Sequence, residues 1–179
     1  MSITINPSED FRRPKLLLGD FFAHVIKVEK GSPINVNGVK STPYNITCVL
    51  APENADITGK DPETGEEVKA DILVGLTPKS RGLWYSENPT EKWRIKRYFN
   101  FYQVVFNPKP NDDGTIELNE LNEIDALGKP VIVSLGFEYD KRDAGLPKEE
   151  QRKYIKIYDF KKWEGGYEID PSTIEEYPF

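Results

Sequence analysis

The sequence is nearly empty of the residues that most often carry out chemistry. It holds one cysteine, Cys48, and one histidine, His24. A single cysteine excludes an internal disulfide and fits a reducing cytosol. A Cys/His metal centre needs several such ligands at set spacing, so no metal is expected. A Cys–His nucleophile pair would lack a visible orienting group, and both residues fall on expected strands, where they read better as buried structural residues. The phosphate-cradling patterns GxxxxGK(S/T) and GxGxxG are missing. The stretch DPETGEE (61–67) has the composition of a calcium loop but not its alternating ligands or its final Glu, so it reads as a solvated turn. Neither a catalytic residue nor a cofactor is expected, and the chain does not read as an enzyme.

Long apolar runs are missing too. The longest, such as VIVSLGF, are of strand length, which excludes a helical membrane span. The start, MSITINPSEDFRRPK, lacks the apolar stretch of a secretory signal and reads as an irregular arm, so a cytoplasmic location is expected (the host's cytoplasm, if the chain is viral). Positive charge is in deficit, with a net charge of −6. The deficit is local, however. Residues 164–179 hold Glu164, Glu168, Asp170, Glu175 and Glu176 with no Lys or Arg, and so account for five of the six net charges. Just before them, RKYIKIYDFKKW (152–163) has five basic residues and one acid. Local charge, not the total, decides which ligand a surface attracts.

Aromatic residues are plentiful: 9 Phe, 9 Tyr and 3 Trp in 179 residues, enough for the core of one domain. Residues 16–30 read as a first strand with a bulge at Gly19, and 31–41 as a turn region containing an Asn-Gly pair. Residues 43–51 form a second strand with Tyr44, Ile46, Cys48 and Leu50 on one face. A polar connection or hairpin leads to a third strand at 71–76. Asn88, Pro89, Thr90 and Glu91 suit the cap and first turn of a helix over 91–103, whose Ile95, Tyr98, Phe99 and Tyr102 would face the core. A short helix is expected at 118–124, a fourth strand at 130–139 and a fifth at 152–163. Three strands, a helix and two strands predict a mainly β fold, a five-stranded OB-like barrel with one helix between strands 3 and 4. An open sandwich with one helix would give the same string. The expected division is a barrel domain over 1–163 and a flexible acidic tail over 164–179.

By parity, the last strand sets Ile155 and Ile157 toward the core and Arg152, Tyr154, Lys156, Tyr158 and Phe160 on the opposite face. Alternating cations and flat rings suit a single nucleic-acid strand, whose phosphates need positive charge and whose unstacked bases need π-faces. The same alternation also occurs on exposed sheet faces for strand-propensity reasons alone. Two further patches point the same way: Lys79, Arg81, Trp84 and Tyr85 in TPKSRGLWY, and Lys92 and Arg94 in KWRIKR, where cations oppose the helix dipole. Lys141 and Arg142 add two more beyond the fourth strand.

The final residues Glu175, Glu176, Tyr177, Pro178 and Phe179 resemble the acidic, Pro-Phe-ending tip of bacterial single-stranded DNA-binding proteins. The segments GLWYSENPTEKWRIKRYF and LGKPVIVSLGFEYD…YIKIYDF are similar in layout to phage-encoded OB-fold proteins of that class. The resemblance implies a sequence-tolerant single-stranded DNA-binding protein of viral replication or recombination, with these five residues as a docking peptide for replication or recombination proteins. A β-rich virion or assembly protein and an OB module for protein or RNA are the rival readings.

Overall fold

The computed structural model describes residues 2–4, 16–87 and 92–176. Period-two apolar patterning becomes strand wherever one face can be buried. In β1 (Gly19–Lys30), Phe21, Ala23 and Val25 are fully buried. The register with the next long strand then skips Ile26, passing from Val25↔Cys48 to Lys27↔Thr47. This bulge turns Val28 instead of Lys27 toward the core. β2 (Ile34–Val36) and β3 (Val39–Leu50) form a hairpin whose turn is the Asn-Gly pair. Asn37 and Gly38 sit at φ 51° and 79°, the left-handed conformations that a two-residue hairpin turn of this type requires. Tyr44, Ile46, Cys48 and Leu50 point inward, as their alternation predicts. β4 (Thr58–Lys60) and β5 (Glu67–Lys69) form a separate ribbon, tied to the barrel through Leu18↔Lys60.

The strand expected at 71–76 is not a strand. Residues Ala70–Leu73 form a 3-10 turn. Ala70 and Leu73 enter the core, Ile72 and Val74 stay exposed, and Gly75 at φ 84° turns the chain away. The third barrel strand comes later and is short, as β6 (Lys79–Ser80) and β7 (Leu83–Ser86). After a 3-10 turn over Lys92–Ile95 comes α1 (Lys96–Phe106). Its buried residues are Tyr98 and Phe101, so Phe101 takes the core position expected of Phe99. The expected cap, residues 88–91, lies outside the described residues. Residues 118–124 are irregular, not helical. They are held because Tyr44 and Tyr98 donate their hydroxyl protons to the carbonyls of Leu121 and Asn119.

β8 (Pro130–Tyr139) and β9 (Lys153–Lys161) complete the sheet. β1 pairs with β3, β3 with β6, β6 with β9 in parallel, β9 with β8, and β8 with β1. The barrel is therefore closed, with five strands and α1 between the third and fourth, an OB-like fold. β7 runs beside β3 and widens the third strand. α1 packs over one end, with the Phe101 and Phe160 ring centroids 4.8 Å apart.

β9 departs from simple alternation. Ile157 pairs with Leu135 and Asp159 with Ser134, which leaves Tyr158 as a bulge residue. Past the bulge the parity inverts, so Phe160, expected on the outer face, is buried at 4% exposure.

The acidic segment also differs from expectation. Residues 164–176 lie against the outer side of β1 instead of standing free. Trp163 packs at a tilt against Phe22 and His24, and Tyr167 against His24, at 4.9–5.2 Å between centroids. His24 Nε2 is 2.8 Å from the Tyr167 carbonyl, and the Ile169 amide donates to Gly128. Gly128 is at φ 80°, and a Cβ there would sit 2.2 Å from the Ile169 carbonyl oxygen, so only glycine permits this approach. Lys129 pairs with Glu168, and Lys27 with Glu176 at 3.4 Å. Two rings placed over an otherwise bare Phe22 and His24 explain why the segment is held. Tyr177, Pro178 and Phe179 lie outside the described residues.

Candidate nucleic-acid interface

The outer faces of β3, β7, β6 and β9 form one continuous surface. On β7, Leu83 points inward, and Trp84 stands on the outer side opposite Pro43. Tyr85 does not share that surface. It lies against Tyr98 of α1 at 5.0 Å, and burial pushes its hydroxyl pKa upward. Trp84 instead lines a groove of about 520 Å³ with Val36, Val39, Trp93 and Ile95. Trp93 is 68% exposed, with the Arg94 guanidinium 5.0 Å from its ring centroid. Lys96 and Arg97 also line this groove. Among the described residues no acid lies within ion-pair distance of Lys96, Arg97 or Lys92.

From Gly82 on the groove wall the chain passes directly to Arg81. The Arg81 guanidinium lies 4.9 Å from the centroid of the Tyr158 ring. Its Nε donates to Glu138 at 2.6 Å, so much of its charge is already matched. Tyr158 lies flat over Gly136, where a Cβ would come within 2.6 Å of the ring, and donates its hydroxyl proton to the Phe137 carbonyl at 3.0 Å. The absence of a side chain at 136 is what seats this ring. Lys79 and Lys156 are register partners across the parallel β6–β9 joint. Lys79 lies 3.9 Å from Glu29, a long contact. Trp84, Arg81, Tyr158, Lys79 and Lys156 thus form a run of rings and cations that continues the groove.

The remaining expected residues gather elsewhere. Arg142 is bidentate to Asp140, and Arg152 to Asp143. The Arg142 side chain holds the Asp140 carboxyl far below the usual carboxylate range, helped by the Arg142 amide and the Tyr154 hydroxyl. The Arg152 side chain lowers the Asp143 carboxyl pKa, helped by the Arg152 amide. Arg142, Arg152 and Tyr154 are therefore committed to fixing the loop after β8 and have little charge or hydroxyl left for a ligand. Lys141 is exposed in the same turn.

The structure brings Trp84, Arg94, Lys79, Arg81, Lys156 and Tyr158, expected as separate patches, onto adjoining surface, and adds Trp93, which the sequence suggests as a core residue, with Lys96 and Arg97, which the sequence offers only as part of a cationic run. The missed signal was the 3-10 turn before α1, which rotates KWRIKR so that its tryptophan faces solvent. The contribution of the β2–β3 hairpin through Val36 and Val39 was signalled only by the Asn-Gly turn.

No protein-family model, no curated protein and no solved structure matches the chain. Among the described residues no helix is long and apolar enough to cross a membrane, and no cluster of His, Cys, Asp and Glu has the makings of a metal site.

Proposed function

We propose that the chain binds single-stranded DNA without strong sequence dependence and serves replication or recombination of a viral genome. The observation that supports this most is the groove between the β2–β3 hairpin and the start of α1. Two tryptophans, Trp84 and Trp93, line it beside Lys96 and Arg97, cations that no acid among the described residues pairs. Stacked bases need flat rings, and each is worth about 1–3 kcal/mol. Phosphates need cations not already spent on acids. The groove lies on the strand 2–3 face with the first hairpin, where OB folds take oligonucleotides. The acidic residues 175–179 supply a docking peptide for partner proteins in this reading, with Glu176 held at its base by Lys27.

The test is a salt titration of full-length protein against oligo-dT, duplex DNA and RNA. Binding to oligo-dT should fall linearly in log–log form, by about −0.7 per phosphate neutralised. Arg97→Glu should weaken binding and make that slope shallower by about one contact. Binding that ignores salt, or no binding at low salt, would overturn the proposal.

A further inference from the structure

Three lysines stand in one line across the outer face of the barrel. Lys27 of β1 is the register partner of Thr47 on β3, Thr47 of Lys79 on β6, and Lys79 of Lys156 on β9. Neighbouring strands lie about 4.8 Å apart, so the line is short and its charges are close. Like charges directly opposite one another cost stability, and Lys79 and Lys156 are such a pair. Acid does little to offset them. Glu29 follows Lys27 by two residues on the same face of β1. Its Oε1 lies 3.8 Å from Lys27 Nζ and 3.9 Å from Lys79 Nζ. A single oxygen thus stands between two ammonium groups, beyond hydrogen-bond reach of either. Lys27, at the outer end of the line, also lies 3.4 Å from Glu176. Among the described residues no acid is within ion-pair distance of Lys156. Lys27, Glu29, Lys79 and Glu176 are each about half exposed, so each of these pairs is worth little, about 0–1 kcal/mol.

We infer that the space between Lys27 and Lys79 is a backbone-phosphate site, and that Glu29 is a built-in competitor which the phosphate displaces. The inference rests on the single-strand reading above. The Glu29 oxygen stands where a phosphodiester would set a free oxygen. The tethered carboxylate offers that one oxygen to both lysines at long range. A diester has two free oxygens and closes on both ammonium groups with short, charge-assisted bonds. Lys156 is next along the line, and its strand partner is Gly136, over which the Tyr158 ring lies. A phosphate at the site is therefore close to a stacking platform. Glu29, half exposed, swings out to water when it is displaced. Because an acid must first be moved, a free phosphate gains little here, and a strand already anchored by stacking gains more.

The experiment measures oligo-dT affinity of the full chain by anisotropy across a range of salt. The variants are Glu29→Gln, Lys27→Met, the two combined, and Glu66→Gln. Both site substitutions keep the shape of the side chain and remove its charge, and thermal melts accompany each. Glu29→Gln should tighten binding about two- to tenfold, the worth of two exposed ion pairs that no longer have to be broken. It should also steepen the salt dependence, since salt helps to break such pairs in the wild type. Lys27→Met should weaken binding and make the log–log slope shallower by about 0.7, one phosphate contact. In the combined variant most of the gain from Glu29→Gln should vanish, because the two residues act on one site. Glu66→Gln removes an equal charge from the separate β4–β5 ribbon and should change affinity far less. Glu29→Gln that binds no tighter than the wild type, or gains no more than Glu66→Gln, overturns the competitor. Lys27→Met without effect on affinity or slope overturns the phosphate site. Either result leaves single-strand binding standing. No binding of oligo-dT by the wild type overturns the single-strand reading itself.

Discussion

Replacing Gly136 with alanine should dislodge Tyr158 and weaken DNA binding from a position that touches no ligand. The new Cβ would lie 2.6 and 2.7 Å from two ring carbons of Tyr158. Ordinary contact needs about 1 Å more, so the ring must swing outward or the strand must bend. Swinging it breaks the hydroxyl's bond to the Phe137 carbonyl, worth about 0.5–1.5 kcal/mol. It also separates the ring from Arg81, worth about 0.5–1 kcal/mol at an exposed site. Alanine returns about 0.5–1 kcal/mol through strand propensity. The net loss in stability should be near 0.5–1.5 kcal/mol, read by urea denaturation. The loss in affinity should be larger in proportion, because a displaced platform forfeits a stacked base worth about 1–3 kcal/mol, about 5- to 150-fold in Kd. Gly136→Ala and Tyr158→Ala should weaken oligo-dT binding by similar factors, and the double variant should be no worse than either, since both remove one platform. Full affinity in Gly136→Ala beside a loss in Tyr158→Ala would refute the packing argument. Full affinity in both would remove Tyr158 from the interface.

The β9 bulge predicts that Phe160→Ala costs about 3–5 kcal/mol, the range for a buried Phe, where an outer-face residue would cost almost nothing; a denaturation curve decides. Burial lowers the pKa of His24, opposed by its hydrogen bond to the Tyr167 carbonyl and by Glu53. The folded state therefore favours neutral imidazole, and its contribution is complete above the unfolded value near 6.5 and lost as pH falls below it, by at most about 1.4 kcal/mol per pH unit. Melting temperatures of the wild type should fall more steeply between pH 6.5 and 5 than those of His24→Gln. Removing residues 164–179 takes Tyr167 off His24 while Trp163 stays over Phe22, and should cost about 1–2 kcal/mol, a drop of about 2–8 °C in Tm by calorimetry. An unchanged melt would show that the segment is not held on β1.

The long strands were legible because their apolar alternation is strict: Phe21, Ala23 and Val25, Tyr44 through Leu50, and Val131 through Leu135 all point inward. Failures came where one residue alters the phase. Tyr158 as a bulge sends Phe160 inward, and nothing local marks it, because the bulge answers the register of a partner strand more than twenty residues away. Ile72 and Val74 carry strand propensity but stay outside the core, since the chain bends at Gly75. The cations were legible as a set but not as individuals. Which arginine is spent on an aspartate depends on loop geometry, so Arg142 and Arg152 could not be told from Lys96 and Arg97 by spacing. The acidic segment misled through its charge, when Trp163 and Tyr167 were the residues that decided its path.

The parallel joint between β6 and β9 has two residue pairs, Lys79↔Lys156 and Ser80↔Ile157. β8 and β9, by contrast, pair along eight positions. The ring of strands is thus a long ribbon clasped at one slender buckle, and the buckle joins segments far apart in the chain. Such contacts form late in folding, because the loop they close is long. The clasp also bisects the proposed ligand surface, with Lys79 and Arg81 on one side and Lys156 and Tyr158 on the other. A strand laid across it would lace the barrel shut. Amide hydrogens at Cys48, Arg81 and Ile157 should then exchange more slowly in the presence of oligo-dT than those of β8, and the gain should grow with ligand concentration above Kd.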